Sequence, residues 1–280
     1  MRTIGIIGTG LIGGSMALKL REKGFADKFI GADTDEHHAH RAVELGLVDK
    51  TGSVDDLIAQ SDIIVIAIPV VATEKMLSKV LDSAEGKVVL DVGSTKMSLC
   101  ESVKNHSNRQ AFVATHPMWG TEYSGPDAAT RMSFEGNVVV ICDKYLSGKQ
   151  ALGLTEEVYD ALGMKIVYMD SEAHDLHAAY VSHISHITSF ALANTVLEKE
   201  KEDSAIFQMA SAGFESTVRL AKSNPDMWLA IFKQNRENVL DVLNEHITQL
   251  KKFRSCFEKD NYEYMHELME NANKIKRIIK

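Results

Sequence analysis

Residues 1–14 read MRTIGIIGTGLIGG and combine a short apolar run with three regularly spaced glycines. The run at 4–7 is predicted to form a buried strand, and Gly8, Gly10 and Gly13 follow it as G-x-G-x-x-G. A strand that leads through a glycine turn into a helix presents backbone N–H groups and the positive end of the helix dipole to a pyrophosphate. The stretch therefore predicts a dinucleotide-binding site at the start of a Rossmann sheet.

Each glycine has its own predicted role. Gly8 would make the tight turn, Gly10 would let the backbone approach a phosphate, and Gly13 would let the helix at 15–23 pack closely on its strand. Glycines also cap helices and make ordinary turns, so the spacing alone leaves that alternative open. The expected cofactor contacts lie along the whole loop: Gly8, Thr9, Gly10, Leu11, Ile12 and Gly13.

A second predicted strand, at 28–33, ends in an acidic residue, Asp33. At this position a carboxylate accepts hydrogen bonds from the ribose hydroxyls of a bound dinucleotide. NAD is favoured over NADP, because a 2′-phosphate would be repelled by Asp33 and the next residues, Thr34, Asp35 and Glu36, include no arginine to receive it. The alternative is that Asp33 only caps a turn.

Composition and charge exclude several classes of protein. The 280 residues are enough for two domains or one large one. The net charge of −8 is spread without a basic block, so no nucleic-acid partner is expected. Three widely spaced cysteines argue against a disulfide framework or a zinc module and favour a reducing, cytoplasmic location. The longest apolar run, 63–72, is broken by Pro69 and too short for a membrane span, and we expect no leader because the chain starts as a strand.

Strand-like runs alternate with helical stretches through the first 170 residues, which is the pattern of a parallel sheet covered on both faces. The later runs lie at 63–68, 87–92, 112–115, 138–142 and 165–169. After Asp170 only helical periodicity is found, at 172–199, 206–222, 227–257 and 261–280. We therefore predict an α/β Rossmann domain with a doubly wound, mainly parallel sheet in residues 1–170, followed by an all-α domain in residues 171–280.

Polar residues follow two of the predicted strands, at the edge of the sheet where ligands bind in such folds. Ser94 follows the strand at 87–92, and His116 follows the strand at 112–115. Because Pro117 restricts the preceding residue to extended conformations, the imidazole of His116 is expected to project from the strand end. A histidine held there with a serine nearby suits general-base work near neutral pH, whereas a histidine bonded to a carbonyl would only brace the loop.

Polar residues also interrupt the helices of the second half. Four histidines lie in one stretch: His174, His177, His183 and His186. A regular α-helix would place the first two nearly opposite the last two, so no metal site is predicted. Ser182 and His186 share a helix face, which could address a polar ligand or simply face solvent. Arg219 could bind a substrate carboxylate through its guanidinium or form an ion pair within the protein.

Taken in order along the chain, these motifs resemble the prephenate dehydrogenase family, which includes arogenate dehydrogenases. The resemblance spans essentially the whole chain and rests on GIIGTGLIGGS at 5–15, DVGSTK at 91–96, HPMWGTEYSG at 116–125, FEG at 134–136, VSHISH at 181–186 and GFESTVRLAKSNPDMW at 213–228. It implies a Rossmann domain, a helical dimerisation domain and NAD as cofactor. The implied reaction is the oxidative decarboxylation of prephenate to 4-hydroxyphenylpyruvate in tyrosine biosynthesis.

The resemblance also implies roles for individual residues. His116 is the catalytic residue that accepts the proton of the ring hydroxyl as hydride leaves the same carbon, and Ser94 is its hydrogen-bonding partner at that hydroxyl. Arg219 binds a substrate carboxylate. The other implied substrate-binding residues are His186, Ser182, Thr121 and Glu122. Two positions depart from the family's pattern: Ser185 stands where a proline is usual, and Trp119, which could narrow the pocket, stands where a small residue is usual.

Three alternatives remain open at this point. Arogenate could replace prephenate as substrate, because the two differ only in an amino-acid versus a keto-acid side chain and no residue decides between them. A β-hydroxyacid dehydrogenase resembles the two-domain plan, but the lysine expected on the first long helix after the Rossmann domain is missing from 172–198. A catalytically silent NAD-binding regulator would leave His116, Ser94 and Arg219 unexplained.

Apolar positions in the helical stretch 227–250 are more numerous than one buried face requires. They include Ile231, Val239, Leu240, Val242, Leu243 and Ile247. We therefore expect a symmetric homodimer built on the C-terminal helices, with a small-molecule substrate as the other partner and no membrane partner.

Overall fold

The computed structural model describes residues 2–201 and 206–278. These residues form two compact units, 2–235 and 236–278. The first unit includes helices beyond residue 170, because Trp228 and Ile231 pack with Val70 in one apolar cluster. The division of function predicted between residues 170 and 171 stays a prediction.

Eight strands form one sheet in the first unit: β1 Thr3–Ile7, β2 Lys28–Ala32, β3 Lys50–Thr51, β4 Ile63–Ile66, β5 Val88–Asp91, β6 Phe112–Pro117, β7 Val138–Cys142 and β8 Lys165–Met169. Their order across the sheet is β3-β2-β1-β4-β5-β6-β7-β8. Neighbouring strands are parallel except for the antiparallel pair β6 and β7. The predicted mainly parallel α/β sheet is confirmed, with one short strand, β3, that the sequence pattern did not predict.

Helices occupy most of the remaining chain. Those of the first unit are α1 Leu11–Glu22, α2 Glu36–Glu44, α3 Val54–Gln60, α4 Val70–Asp82, α5 Met97–Ser102, α6 Lys149–Ala161, α7 Ser171–Ala178, α8 Ile184–Glu200, α9 Ala212–Val218 and α10 Pro225–Gln234. The second unit contains α11 Arg236–Glu258 and α12 Tyr262–Ala272. Short 3₁₀ turns lie at Arg109–Ala111, Pro126–Ala128, Lys144–Leu146, Phe207–Met209, Arg219–Lys222 and Asn273–Arg277. Among the described residues after 170 there is no strand, as predicted, and no described helix has the length and apolar character to cross a bilayer.

The central strands of the sheet are buried on both faces, and β4 shows how. Its side chains alternate, so that Ile63 and Val65 join one apolar cluster while Ile64 and Ile66 join another. All four are fully buried. Successive side chains of a strand point to opposite faces, so a strand with two covered faces must be apolar throughout.

The order of strands reverses between β1 and β4, because the chain runs outward from β1 to β3 on one side and returns to β4 on the other. In doubly wound sheets, ligands bind at this switch point, outside the carboxyl ends of the strands. The glycine loop leaves β1 at this edge, and β4, β5 and β6 end at the same edge because they run parallel to β1.

The long helix predicted over 172–199 is interrupted. A π-helical turn, Ala179–His183, joins α7 to α8. A π turn holds more residues than an α turn and therefore changes which side chains share a face. His174 and His183, expected on opposite sides of a regular helix, are both buried here. In the described part of the chain, no group of three or more His, Cys, Asp or Glu side chains is arranged to hold a metal ion.

Candidate active site

The glycine loop has the backbone geometry of a phosphate cradle. Gly8 has a φ of +93°, and a Cβ there would lie 2.4 Å from the carbonyl oxygen of Ala67. A Cβ at Gly13 would lie 2.1 Å from the carbonyl oxygen of Gly8, so α1 packs directly on the turn. By contrast, a Cβ at Gly10 would meet nothing closer than 3.9 Å, and this leaves space beside the backbone.

The first turn of α1 offers backbone donors at the same place. Gly10 is the N-cap of α1 and no side chain caps this end. The N–H of Gly14 donates to the carbonyl of Gly10 over 2.8 Å. The N–H groups of Leu11, Ile12 and Gly13 precede that bond and are available to an anion. The chemistry and spacing of these residues fit a dinucleotide pyrophosphate.

Asp33 faces the glycine loop from the end of β2. Its Oδ2 accepts hydrogen bonds from the backbone N–H of Thr9 (2.9 Å) and from the Thr9 hydroxyl (3.1 Å). Its Oδ1 accepts the N–H of Asp35 over 3.1 Å, which is the turn-capping role considered as the alternative. A carboxylate has about four acceptor sites, so Asp33 can brace the loop and still accept ribose hydroxyls.

His116 lies within a strand and not beyond its end. β6 extends two residues further than predicted, because its antiparallel pairing with β7 continues through His116 opposite Val140 and Pro117 opposite Val139. The prediction that His116 follows the strand was therefore wrong by these two residues. Only 8% of His116 is exposed, so the residue is buried at the edge of the sheet where β6 ends.

The imidazole of His116 is held by a second histidine. His116 Nδ1 lies 2.8 Å from His174 Nε2, with the ring centroids 5.0 Å apart in an edge-to-face arrangement. His174 Nδ1 in turn lies 2.8 Å from Oδ1 of Asp175. This arrangement differs from the carbonyl-bonded loop brace considered as the alternative for His116.

The surroundings of His116 keep it uncharged. Burial lowers the pKa of His116 well below its ordinary value of 6.5, and positive charge at His174, Lys96 and His183 lowers it further. Lys96 is fully buried and forms an ion pair with Asp91. Near neutral pH His116 is therefore a neutral imidazole, the form that a general base requires.

Ser94 lies on a loop that is anchored on both sides. The N–H of Gly93 donates to Oδ2 of Asp91 over 2.9 Å, and the N–H of Lys96 donates to Oδ1 of Asp175 over 2.7 Å. Ser94 itself is half-buried, and no hydrogen bond joins it to His116. The anchors fix the loop at the end of β5, the strand next to that of His116.

A second group of predicted residues centres on Trp228. The ring of His186 stacks on the indole, with centroids 3.5 Å apart and planes inclined by 26°. His186 Nδ1 lies 3.2 Å from the backbone carbonyl of Ser182. Burial lowers the pKa of His186, and the charge of Arg219 adds to this effect. The proximity of Arg219 to His186 places the predicted carboxylate-binding residue beside this group.

Arg219 forms an ion pair within the protein, which was the alternative to its binding a substrate carboxylate. Its Nη1 lies 3.1 Å from Oε2 of Glu122. Thr121, next to Glu122, is exposed, and its hydroxyl accepts the N–H of Tyr123 over 3.3 Å. The structure thus brings Arg219, Glu122 and His186 together, whereas no hydrogen bond joins the side chains of Thr121 and Ser94 to them.

His183 links the two groups. Its charge lowers the pKa of His116, and the charge of His186 lowers the pKa of His183 itself. Its ring meets the indole of Trp228 edge-on, with centroids 5.9 Å apart. The catalytic candidate and the carboxylate-binding candidate are therefore connected through side chains of the π turn and α10.

Trp119, the unusual residue after His116, packs away from these groups. Its ring lies 4.7 Å from that of Phe134 between centroids, and it joins the main apolar cluster of the sheet. Phe134 is fully buried and has a positive φ of 67°. These contacts give Trp119 a role in packing, and its effect on the width of a pocket stays a prediction.

Sequence reasoning missed the residues behind His116. His174 was considered only as a metal ligand, and Asp175 and Lys96 were given no role. The adjacent His174-Asp175 pair on α7 could have indicated such a role. A carboxylate that accepts a hydrogen bond from a histidine fixes which ring nitrogen carries the proton.

Comparison with known proteins shows the family to which this chain belongs. The family model described as prephenate dehydrogenase, nucleotide-binding domain, matches residues 16–168, and the one described as prephenate dehydrogenase, dimerization domain, matches residues 170–271. Prephenate dehydrogenase of Bacillus subtilis is 30% identical over 96% of this chain and 74% of its own.

Two solved structures share the fold over nearly the full length. Prephenate dehydrogenase from Aquifex aeolicus, in complex with hydroxyphenyl propionate and NAD+, has a TM-score of 0.87 and 29% identity and covers 99% of this chain and 98% of its own. Synechocystis arogenate dehydrogenase has a TM-score of 0.79 and 26% identity and covers 99% of this chain and 100% of its own. The prediction that the chain binds NAD is confirmed, and the contacts predicted for residues 8–13 and Asp33 stay a prediction. The chain belongs to the prephenate dehydrogenase family of oxidoreductases.

Proposed function

We propose that this chain is an NAD-dependent prephenate dehydrogenase that converts prephenate to 4-hydroxyphenylpyruvate and carbon dioxide. The observation that carries the proposal is His116, a buried and neutral imidazole at the sheet edge from which the glycine loop also starts. The bound dinucleotide of the relative from Aquifex aeolicus supports NAD as the cofactor. The contacts that fix Asp33 beside Thr9 support the preference for NAD over NADP.

The reaction requires a base that accepts the proton of the ring hydroxyl and a cation that binds a carboxylate of the substrate. NAD, when bound, accepts the hydride from the carbon that bears the ring hydroxyl. His116 takes the proton of that hydroxyl as the carbon–carboxylate bond across the ring breaks, and the proton returns to the phenolic oxygen of the product. Ser94 donates a hydrogen bond to the same oxygen. Because the ring becomes aromatic, the main work of the protein is to position these groups.

The remaining predicted residues bind the substrate in this proposal. Arg219 holds a carboxylate of the dianionic substrate through its guanidinium. The residues that complete the substrate site are His186, Ser182, Thr121 and Glu122, and Glu122 takes part as the internal partner of Arg219, which a substrate carboxylate displaces. Asp33 accepts hydrogen bonds from the ribose hydroxyls of the cofactor. The pyrophosphate is contacted by Gly8, Thr9, Gly10, Leu11, Ile12 and Gly13.

Residues 1–170 bind NAD in this proposal, and residues 171–280 supply substrate contacts and the surface of a homodimer. The description of the second family model as a dimerization domain supports this division. Size-exclusion chromatography with light scattering should give twice the chain mass of 31.0 kDa. A monomer at micromolar concentration would contradict the homodimer.

The function is tested by measuring NADH formation with NAD and either prephenate or arogenate, beside an NADP control. Turnover with prephenate and NAD, lost in the variant His116→Asn, is the expected result. A clear preference for arogenate would keep the chemistry and change the substrate. Absence of turnover with both, in protein that binds NAD, would favour the non-catalytic regulator.

A further inference from the structure

Three buried side chains form a continuous hydrogen-bonded chain that leads away from the reacting nitrogen. His116, His174 and Asp175 are 8%, 2% and 2% exposed. The two links, from His116 Nδ1 to His174 Nε2 and from His174 Nδ1 to Asp175 Oδ1, are both 2.8 Å long. The arrangement joins β6 to the start of α7 across 58 residues.

The carboxylate at the end of this chain is fixed in place. Asp175 Oδ1 accepts the N–H of Lys96 over 2.7 Å, and Oδ2 accepts the N–H of Met97 over 2.9 Å. The backbone carbonyl of Asp175 accepts the side-chain amide of Asn235 over 2.6 Å. Backbone donors at both oxygens favour the ionised carboxylate, because hydrogen bonds to the charged form stabilise it.

The fixed carboxylate determines the proton positions along the chain. An ionised Asp175 has no proton to donate, so the hydrogen between it and His174 belongs to Nδ1 of His174. In neutral His174 the other nitrogen, Nε2, is then an acceptor, and the hydrogen between the two rings belongs to Nδ1 of His116. It follows that Nε2 of neutral His116 carries no proton and is free to accept one.

The charges around the two rings favour this neutral arrangement. Lys96 is fully buried, and its charge opposes a positive charge at His116. The opposite arrangement would need a proton on Nε2 of His174 and so a second positive charge among these groups. Among the described residues, the carboxylates that pair with these groups are Asp175, with His174, and Asp91, with Lys96.

We propose that His174 is a positioning residue that sets the tautomer and orientation of His116, so that Nε2 of His116 is the atom that takes the substrate proton. The inference deepens the function proposed above and rests on it. When the substrate O–H bond breaks and the Nε2–H bond forms, the Nδ1–H of His116 stays donated to His174, and Asp175 stabilises the charge through that ring. The proton then leaves Nε2 for the phenolic oxygen, and the chain returns to its starting state.

The tautomer can be measured without any turnover. Protein labelled with ¹⁵N-histidine gives long-range ¹H–¹⁵N spectra that distinguish a protonated from an unprotonated ring nitrogen, and the His116→Asn variant assigns the signals. We expect His116 and His174 each to be protonated on Nδ1 and unprotonated on Nε2 at neutral pH. Protonation of His116 on Nε2 would overturn the inference, whether or not the chain turns over prephenate.

A second test compares the steady-state kinetics of two variants at position 174. His174→Gln keeps an acceptor oxygen near the place of Nε2, whereas His174→Met keeps the volume and removes the acceptor. We expect kcat to fall about 100-fold or more in His174→Met, with KM for prephenate and affinity for NAD little changed, and to recover at least tenfold in His174→Gln. His177→Met, an exposed position of the same helix, is the matched control and should keep wild-type rates.

Two results would contradict the positioning role in the kinetic arm. One is a His174→Met variant that folds, binds NAD and keeps the wild-type kcat. The other is an equal loss in the Gln and Met variants, which would assign His174 a packing role only. If His174→Met does not fold, the spectra of the wild-type protein and the rates of His174→Gln still decide the question.

Discussion

Arg219 donates a hydrogen bond from Nη1 to Oε2 of Glu122 over 3.1 Å, although 97 residues separate the two along the chain. Half of the Arg219 side chain stays exposed, whereas only 14% of the Glu122 side chain does. The guanidinium is therefore already paired in the free protein. In the function proposed above, a substrate carboxylate competes with Glu122 for this guanidinium.

Replacing Glu122 by glutamine should strengthen substrate binding. The change removes the competing charge but keeps the shape of the side chain. Because exposed ion pairs contribute about 0–1 kcal/mol, we expect KM for prephenate to fall by up to about fivefold with kcat unchanged. Steady-state kinetics measure this, and Glu215→Gln, which pairs with Lys222 nearby, is the matched control. A rise in KM would mean that Glu122 positions Arg219 and does not compete.

Removing the guanidinium itself should have the opposite effect. Hydrogen bonds to charged groups contribute about 1.5–3 kcal/mol, so Arg219→Met should lower kcat/KM by about 10- to 100-fold, mostly through KM. Arg219→Lys should be intermediate, because lysine keeps the charge and loses the planar fork. Lys222→Met changes a neighbouring exposed cation and should leave KM near the wild-type value. An unchanged KM in Arg219→Met would exclude it as the carboxylate ligand.

The parts of the fold that are set locally could be predicted from the sequence. Apolar runs and the glycine spacing give β1, the loop and α1 from neighbouring residues alone. β3, Lys50–Thr51, has only two residues and no apolar pattern, so it exists only because β2 lies beside it. The π turn at Ala179–His183 likewise has no periodic signal, since it depends on which side chains the rest of the protein buries.

The candidate site likewise contains residues that could be predicted from the sequence and residues that could not. His116 and Arg219 stand out because a polar or charged residue is unusual next to an apolar strand and in a partly apolar helical segment. The role of His174 could not be predicted, because it depends on a contact with a strand 58 residues away and on a helix phase altered by the π turn. A pattern within one element shows which residues are unusual, but tertiary contacts decide which of them meet.

Asp33 should contribute to cofactor binding beyond its role in bracing the loop. Asp33→Ala removes a charged acceptor for the ribose and both contacts to Thr9, so we expect the Kd for NAD to rise by about 10- to 100-fold. Thr9→Val removes only the hydroxyl contact to Asp33 and should weaken binding less. Isothermal titration calorimetry with NAD gives both values. Equal losses in the two variants would mean that Asp33 acts only through the loop.

The pH dependence of kcat/KM should report the unusual surroundings of His116. As a base it must be neutral, so activity falls as pH drops through its pKa. Burial and the nearby positive charges hold this pKa well below 6.5, so the rate should stay constant through pH 6.5 and fall only in more acidic solution. Lys96→Met removes one of those charges and should move the acid limb to higher pH. A wild-type limb centred above pH 6.5 would contradict the assignment.

The stability of the folded chain should also fall in acid, and His183 supplies a defined part of that loss. Burial lowers the pKa of His183 from 6.5 to about 4. Its Nδ1 lies 3.2 Å from the side-chain amide nitrogen of Asn235, so a proton on Nδ1 would face another donor. Between pH 6.5 and pH 4 the unfolded chain therefore binds a proton at this position that the folded chain refuses, and the free energy of unfolding decreases as pH falls.

A shift of this size corresponds to a loss on the order of 3 kcal/mol between pH 6.5 and pH 4. The variant His183→Gln cannot titrate, so its free energy of unfolding should depend less steeply on pH across this range, even if the variant is less stable at pH 7. Urea unfolding at a series of pH values measures the slope. His177→Gln, an exposed histidine one element earlier, should keep the wild-type slope. A wild-type slope in His183→Gln would show that His183 is protonated as readily in the folded protein as in the unfolded chain, and its burial beside Trp228 and Asn235 would then carry no electrostatic cost.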